Sequence, residues 1–159
     1  MNVTNRHHLR SDAVSRLEST LESTLGVTID GDAYERVEFS DESFDVVLVD
    51  GDPLVFTDDD EFALTVQGAN EYPPERGIVT VDAGAVSFVS DGADVMRPGI
   101  VEADEGIESG DIVAIAEETH GKVLAIGRAR VDGNEMVGDS GKVVDSIHHV
   151  GDEIYTFTV

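Results

Sequence analysis

VDAGAVSFVSDGADVMRPGI, residues 81–100, is the stretch on which the fold of this chain turns. Ala85, Val86, Phe88 and Val89 recur at helical spacing and predict a helix over Ala83–Ser90, with Asp82 placed to cap it. Asp91-Gly92 and Pro98-Gly99 are turn signals that bracket a short apolar strand, Val95–Arg97. One cation, Arg97, stands beside the second turn. Ile78–Val81 reads as a short strand leading in.

Working outward, the remaining chain is mostly strand-like. Ser11–Leu25 is the one long helical pattern: Val14, Leu17, Leu21 and Leu25 fall on one face, Ser11 or Asp12 can cap it, and Gly26 stops it. Tyr34–Phe39, Phe44–Val49, Leu54–Thr57 and Phe62–Val66 read as strands, with Asp50-Gly51 as a hairpin turn and Asp58-Asp59-Asp60 as an acidic one. Pro73-Pro74 removes two backbone donors and marks a boundary near residues 74–76. Beyond it, Ile112–Glu117 and Val123–Val131 flank a turn at Thr119-His120-Gly121. Lys142–His149 and Glu153–Val159 read as the last strands, with Ile147 and Tyr155 in the core. Many short strands with one early helix predict an α+β chain: an α/β unit over 1–75, then a small, partly closed β-barrel over 76–159.

The chain carries 34 acidic and 10 basic residues, a formal net charge of -24, yet 40% of it is hydrophobic. Runs such as Phe44–Val49 and Ile112–Ala116 need burial, which excludes a disordered acidic tail. Only Lys122 and Lys142 are lysines. Such a carboxylate coat resembles that of haloarchaeal proteins. At 1 M salt the Debye length is about 3 Å, so repulsion between surface carboxylates is screened; in dilute buffer it destabilises the fold. The absence of Cys excludes disulfides and thiolate metal sites. The first residues lack the apolar core of a secretory signal, and no apolar run approaches the ~20 residues of a membrane span. A cytoplasmic location is expected.

Three pieces carry a family resemblance: residues 81–100, GDIVAIAEETHGKVLAIGRARV at 110–131, and SGKVVDSIHHVGDEIYTF at 140–157. In this order and spacing they resemble a PUA domain, a small RNA-binding pseudo-barrel. VDGDPLVFTDDDEFALTVQGANEYPPERGIVTVDAG, residues 49–84, resembles the pre-PUA domain of the malignant T-cell amplified sequence family, to which ligatin is related in architecture. The resemblance implies a non-catalytic RNA-binding factor of translation, working in initiation or recycling on the small ribosomal subunit. Its ligand would be tRNA or rRNA, and its partner a SUI1-domain protein. The alternative is an accessory subunit that positions RNA for a modification enzyme in trans.

The RNA site implied by that resemblance lies between the helix after Asp82 and the strand before Pro98. Gly84 and Ala85 open the helix, where backbone N–H groups can meet a phosphate; Gly84 serves this or close helix packing. Met96, Arg97, Pro98 and Gly99 form the opposite wall. Arg97 is the first cation expected on RNA and Lys142 the second. Arg97 could instead pair with Asp94 or Glu102. Arg128 and Arg130 share a strand face and serve either phosphate or neighbouring carboxylates. Residues 76–159 hold six Lys and Arg against sixteen Asp and Glu, a net of -10, so neither half is a general polyanion binder. Contacts that need no net charge must carry the affinity. The Asp58–Glu61 cluster reads as a solvated turn rather than a Mg²⁺ site. Adjacent His148 and His149 point to opposite strand faces and cannot chelate together. No metal or cofactor is expected.

Overall fold

The computed structural model describes residues 1–157 and resolves them into two sheets. The first is an antiparallel meander in sequence order, β1 (Val3–His8), β2 (Tyr34–Phe39), β3 (Val46–Val49), β4 (Asp52–Asp58) and β5 (Glu61–Leu64). Helix α1 (Ser11–Leu25) buries Leu17, Leu21 and Leu25 against it. Gly26 ends the helix at φ 66°, its N–H on the Glu22 carbonyl, a backbone geometry that suits glycine. The N-cap is Arg10, without a side-chain cap; Ser11 and Asp12 lie inside the first turn. Both tight hairpins use positive φ. Asp50-Gly51 sits at 51° and 91°, and Asp59-Asp60 at 49° and 65°. This is the handedness that matches strand twist, and aspartate tolerates it.

Helix α2 (Val66–Glu71) then leads into β6 (Ile78–Val81). Val66 therefore belongs to a helix, not to the preceding strand. Six residues interrupted by Gly68 show no apolar period. The cap is local instead: the Thr65 hydroxyl accepts from the Gly68 N–H at 2.9 Å. The second sheet runs β7 (Val95–Met96), β11 (Lys142–His149), β10 (Val123–Ala129), β9 (Ile112–Glu117), β6 and β8 (Ile100–Ala103). Among the described residues only β6 and β9 pair in parallel. Helix α3 (Val86–Ser90) spans β6 to β7. It is shorter than the expected 83–90, because residues 82–85 form a hydrogen-bonded turn before it.

Two strands expected from the sequence differ. Arg97 leaves β7 for a single 3₁₀ turn, Arg97–Gly99. Glu153–Thr156 is a one-turn helix, α4, because the Asp152 carboxylate accepts from the Tyr155 N–H and caps it. Ile154 is its buried residue, while Tyr155 is exposed rather than in the core. The predicted continuation to Thr158 and Val159 lies outside the described residues. Ile147 is partly buried against the core.

The larger core crosses between the sheets. Leu17, Phe56, Phe62 and Leu64 pack in one cluster with Ile112, Ala114 and Ile126. A second cluster, with Val79, Val89, Val113, Ile115 and Val144, fills the barrel. The two faces of β9 thus serve two cores, which is why its run IVAIA is apolar throughout. Among the described residues no helix is long and apolar enough to cross a membrane.

Candidate nucleic-acid interface

A groove of about 380 Å³ opens between α3 and β7. Gly84, Ala85, Met96, Pro98 and Gly99, five of the expected residues, line it. The 82–85 turn builds one end. Asp82 N–H bonds the Gly99 carbonyl at 2.9 Å, and its Oδ1 accepts from Ala85 N–H at 3.0 Å. The Ala85 donor expected to meet a phosphate is therefore already taken. Close packing falls on Gly99, not Gly84. A Cβ at Gly99 would stand 2.9 Å from the Ala85 Cβ, whereas one at Gly84 meets only the Asp82 carboxylate, at 3.4 Å.

Phe88 is the residue that the helical pattern misplaces. It is 66% exposed and lines the groove together with Met96, itself 47% exposed. On a five-residue helix one narrow stripe suffices for the core, and Val86 with Val89 supplies it. Phe88 lies one residue off that stripe. The i,i+3 valine pair was the available signal.

No Lys or Arg lines this groove. Arg97 turns away from it and forms neither expected ion pair. Nε donates to the Glu135 carbonyl at 2.9 Å and Nη1 to that of Ser140 at 3.0 Å. It holds the 133–141 loop, where Gly138 and Gly141 leave room for its side chain. An Arg97→Glu change therefore frees a loop and is not a clean test of the groove. Lys142, opposite Met96 in the strand register, pairs with Asp94 on the wall at 2.9 Å. The Ser146 N–H, then Lys142, hold the Asp94 carboxyl below the usual range. Arg128 reaches the acidic turn of the first sheet, with Nη2 2.7 Å from Asp58 and Nη1 3.1 Å from Glu61. Burial alone would lower its pKa; the two carboxylates more than offset this and raise it. Asp58 and Glu61 are thus ion-pair partners, not merely a solvated turn. Arg130 lies 3.8 Å from Asp145. The geometry gathers the apolar candidates in one groove and engages all four cationic ones with protein groups, Lys142 on the groove's own Asp94 and the other three away from it.

Residues 77–151 match the family model of the PUA domain. A conserved PUA domain protein from Thermoplasma acidophilum superposes with a TM-score of 0.81 at 31% identity, over 95% of this chain and 97% of that one. This chain belongs to the PUA domain family. It is 35% identical over 161 residues to Uncharacterized protein MJ1432 of Methanocaldococcus jannaschii, with 99% of each chain covered. It is also 35% identical over 118 residues to Translation machinery-associated protein 20 of Saccharomyces cerevisiae, across 70% of this chain and 65% of the yeast protein. Similarity to Malignant T-cell-amplified sequence 1 of Danio rerio is 26% over 119 residues, across 72% and 66% of the two. The match thus spans about two thirds of the length of these eukaryotic relatives.

The last strand of the PUA sheet locks the groove to the rest of the molecule through its two histidines. His149 faces α3: its Nδ1 donates to the Ser90 carbonyl at 3.0 Å, and Gly92, at φ 93°, packs against its ring. His148 faces the first sheet and is fully buried. Its Nε2 accepts from the Val66 N–H at 3.0 Å, which requires the tautomer with the proton on Nδ1, and Nδ1 donates to Asp152 at 2.8 Å. Burial would raise the Asp152 carboxyl, but the His148 ring and the N–H groups of Tyr155 and His149 hold it below the usual range. Neighbouring residues on one strand thus brace α3 on one face and α2 on the other.

Proposed function

We propose that this chain is a non-enzymatic RNA-binding protein of the translation machinery, with its PUA unit over 76–159 reading RNA and its unit over 1–75 docking on the ribosome. The observation that carries this reading is the exposed pair Phe88 and Met96, which line one groove that holds no cation. A base stacks on Phe88, with Met96 and Pro98 against its other side. Stacking of this kind contributes about 1–3 kcal/mol per base and needs no net charge. It suits a chain whose 34 carboxylates oppose general attraction to phosphate. The similarity to proteins named for association with the translation machinery supports the setting. The ligand is tRNA or small-subunit rRNA, recognised at an unpaired end or loop where bases are free to stack, and a SUI1-domain protein is the partner. The carboxylate coat belongs with work in concentrated salt.

The test is sedimentation of the tagged protein with ribosomal subunits in molar KCl, with the bound RNA sequenced. Enrichment of small subunits and tRNA is the expected result. Absence from ribosomes, with one modification enzyme and its RNA enriched instead, would contradict it and favour a role in positioning RNA for modification.

A further inference from the structure

We propose that the RNA path continues from the groove onto the turn between β9 and β10, where Lys122 and His120 hold one phosphate of the bound strand. This rests on the groove as the RNA site and adds a second, electrostatic point to it. The first observation is how the cations are used. Of ten Lys and Arg, seven lie within 4.0 Å of a carboxylate. Arg97 holds two carbonyls and Arg16 lies over the Phe62 ring. Among the described residues Lys122 alone has none of these partners, and it is exposed. In a chain with more than three acids per base, an unneutralised ammonium needs a reason.

The second observation is that the turn is tied down by hydrogen bonds. Glu117 ties the turn together: Oε1 accepts from the His120 N–H at 2.6 Å and the Lys122 N–H at 3.0 Å, and Oε2 lies 3.8 Å from the His120 ring, which orients that ring and leaves the Lys122 ammonium without a carboxylate. The Lys122 N–H is the main cause holding that carboxyl below the usual range. From the side, Asn70 of α2 clamps Val123, accepting its N–H at 2.8 Å and donating to its carbonyl at 3.0 Å. Gly121 completes the turn at φ 70°. A preorganised turn presents its cation without the entropy of ordering a loop.

The third is space and continuity. A cavity of about 420 Å³ lies beside the turn, with Lys122 and His120 on one side and Ala69, Asn70 and Pro73 on the other. The proline ring offers an apolar ledge for the ribose or base attached to that phosphate. Glu118 N–H bonds the Val81 carbonyl at 3.1 Å, so the turn begins next to Asp82, which lines the groove. The Asp82 carboxylate on this route is itself engaged by the Ala85 N–H.

The test is fluorescence anisotropy of a fluorescein-labelled tRNA transcript titrated at several KCl concentrations, with circular dichroism confirming the fold of each variant. Lys122→Glu is expected to weaken binding about 5–10-fold and to reduce the slope of log K against log [KCl] by about one, the signature of one lost phosphate contact. Lys122→Arg stays within about twofold of wild type, as does Arg10→Glu, which makes the same charge change at an exposed site far along the chain. Wild-type affinity and slope for Lys122→Glu, with binding still lost in Phe88→Ala, would overturn this subsite and leave the groove standing. Equal weakening by Arg10→Glu would overturn it too, as a general charge effect. No binding by the wild type would remove both readings.

Discussion

Replacing His148 by Phe tests the junction that sets the groove on its base. An aromatic ring, slightly larger than the imidazole, is kept against Phe56, whose centroid is 5.3 Å away. Both polar links are lost. The Val66 N–H is left buried without its acceptor, a cost of about 1–3 kcal/mol. Asp152 loses a charge-assisted bond of about 1.5–3 kcal/mol, toward the lower end because its side chain is 20% exposed and keeps the N–H groups of His149 and Tyr155. The sum is about 3 kcal/mol. At about 2–4 °C per kcal/mol for a chain of this size, Tm falls by about 6–12 °C. The assay is thermal and urea unfolding at fixed KCl and neutral pH. The Asp152 carboxyl lies below its unfolded value, so its contribution is present above about pH 3.9 and is lost as pH falls through the lower folded value. The gap between wild type and variant therefore narrows in acid. A loss under about 1 kcal/mol, or a gap independent of pH, would refute the assignment of His148 as a doubly bonded bridge.

Arg97→Ala removes both side-chain bonds to the 133–141 loop, and its amides are expected to exchange faster while those of β10 do not; unchanged protection contradicts the anchoring role. Gly99→Ala forces its new Cβ on that of Ala85 and is expected to cost about 1–3 kcal/mol by overpacking, whereas Gly84→Ala costs less than about 0.5 kcal/mol. Denaturant titration of the pair decides between them. With 34 carboxylates against 10 cations, Tm is expected to rise as KCl increases from dilute buffer to molar concentration. A flat profile would argue against salt adaptation of the surface.

What was legible in the sequence followed periodicity and local chemistry. Leu17, Leu21 and Leu25 with Gly26 announce α1, and strands Tyr34–Phe39, Ile78–Val81, Ile112–Glu117 and Lys142–His149 appear with the bounds read from their apolar patterns and flanking turns. The short elements were not legible for physical reasons. Thr65 and Asp152 each start one or two turns of helix by a single capping bond, which leaves no apolar period to read. β1 is exposed along its whole length, so it has no buried face to signal it. The site shows the same division. Gly84, Ala85, Met96, Pro98 and Gly99 converge because they flank one local crossover. Arg128 pairs with a turn seventy positions away, which no local pattern contains. Phe88 reads as one more apolar residue of the helix; the i,i+3 pair Val86 and Val89 hints at the buried stripe, and the packing of that pair leaves Phe88 to the solvent.

Base stacking on Phe88 is tested by ultraviolet cross-linking of the protein to a tRNA transcript, with the cross-linked peptide mapped by mass spectrometry, for wild type and Phe88→Ala. A nucleotide attached within residues 82–99 is expected, lost in the variant, with Tm unchanged because Phe88 is already exposed. Cross-links confined to another surface, or retained in full by Phe88→Ala, would contradict it.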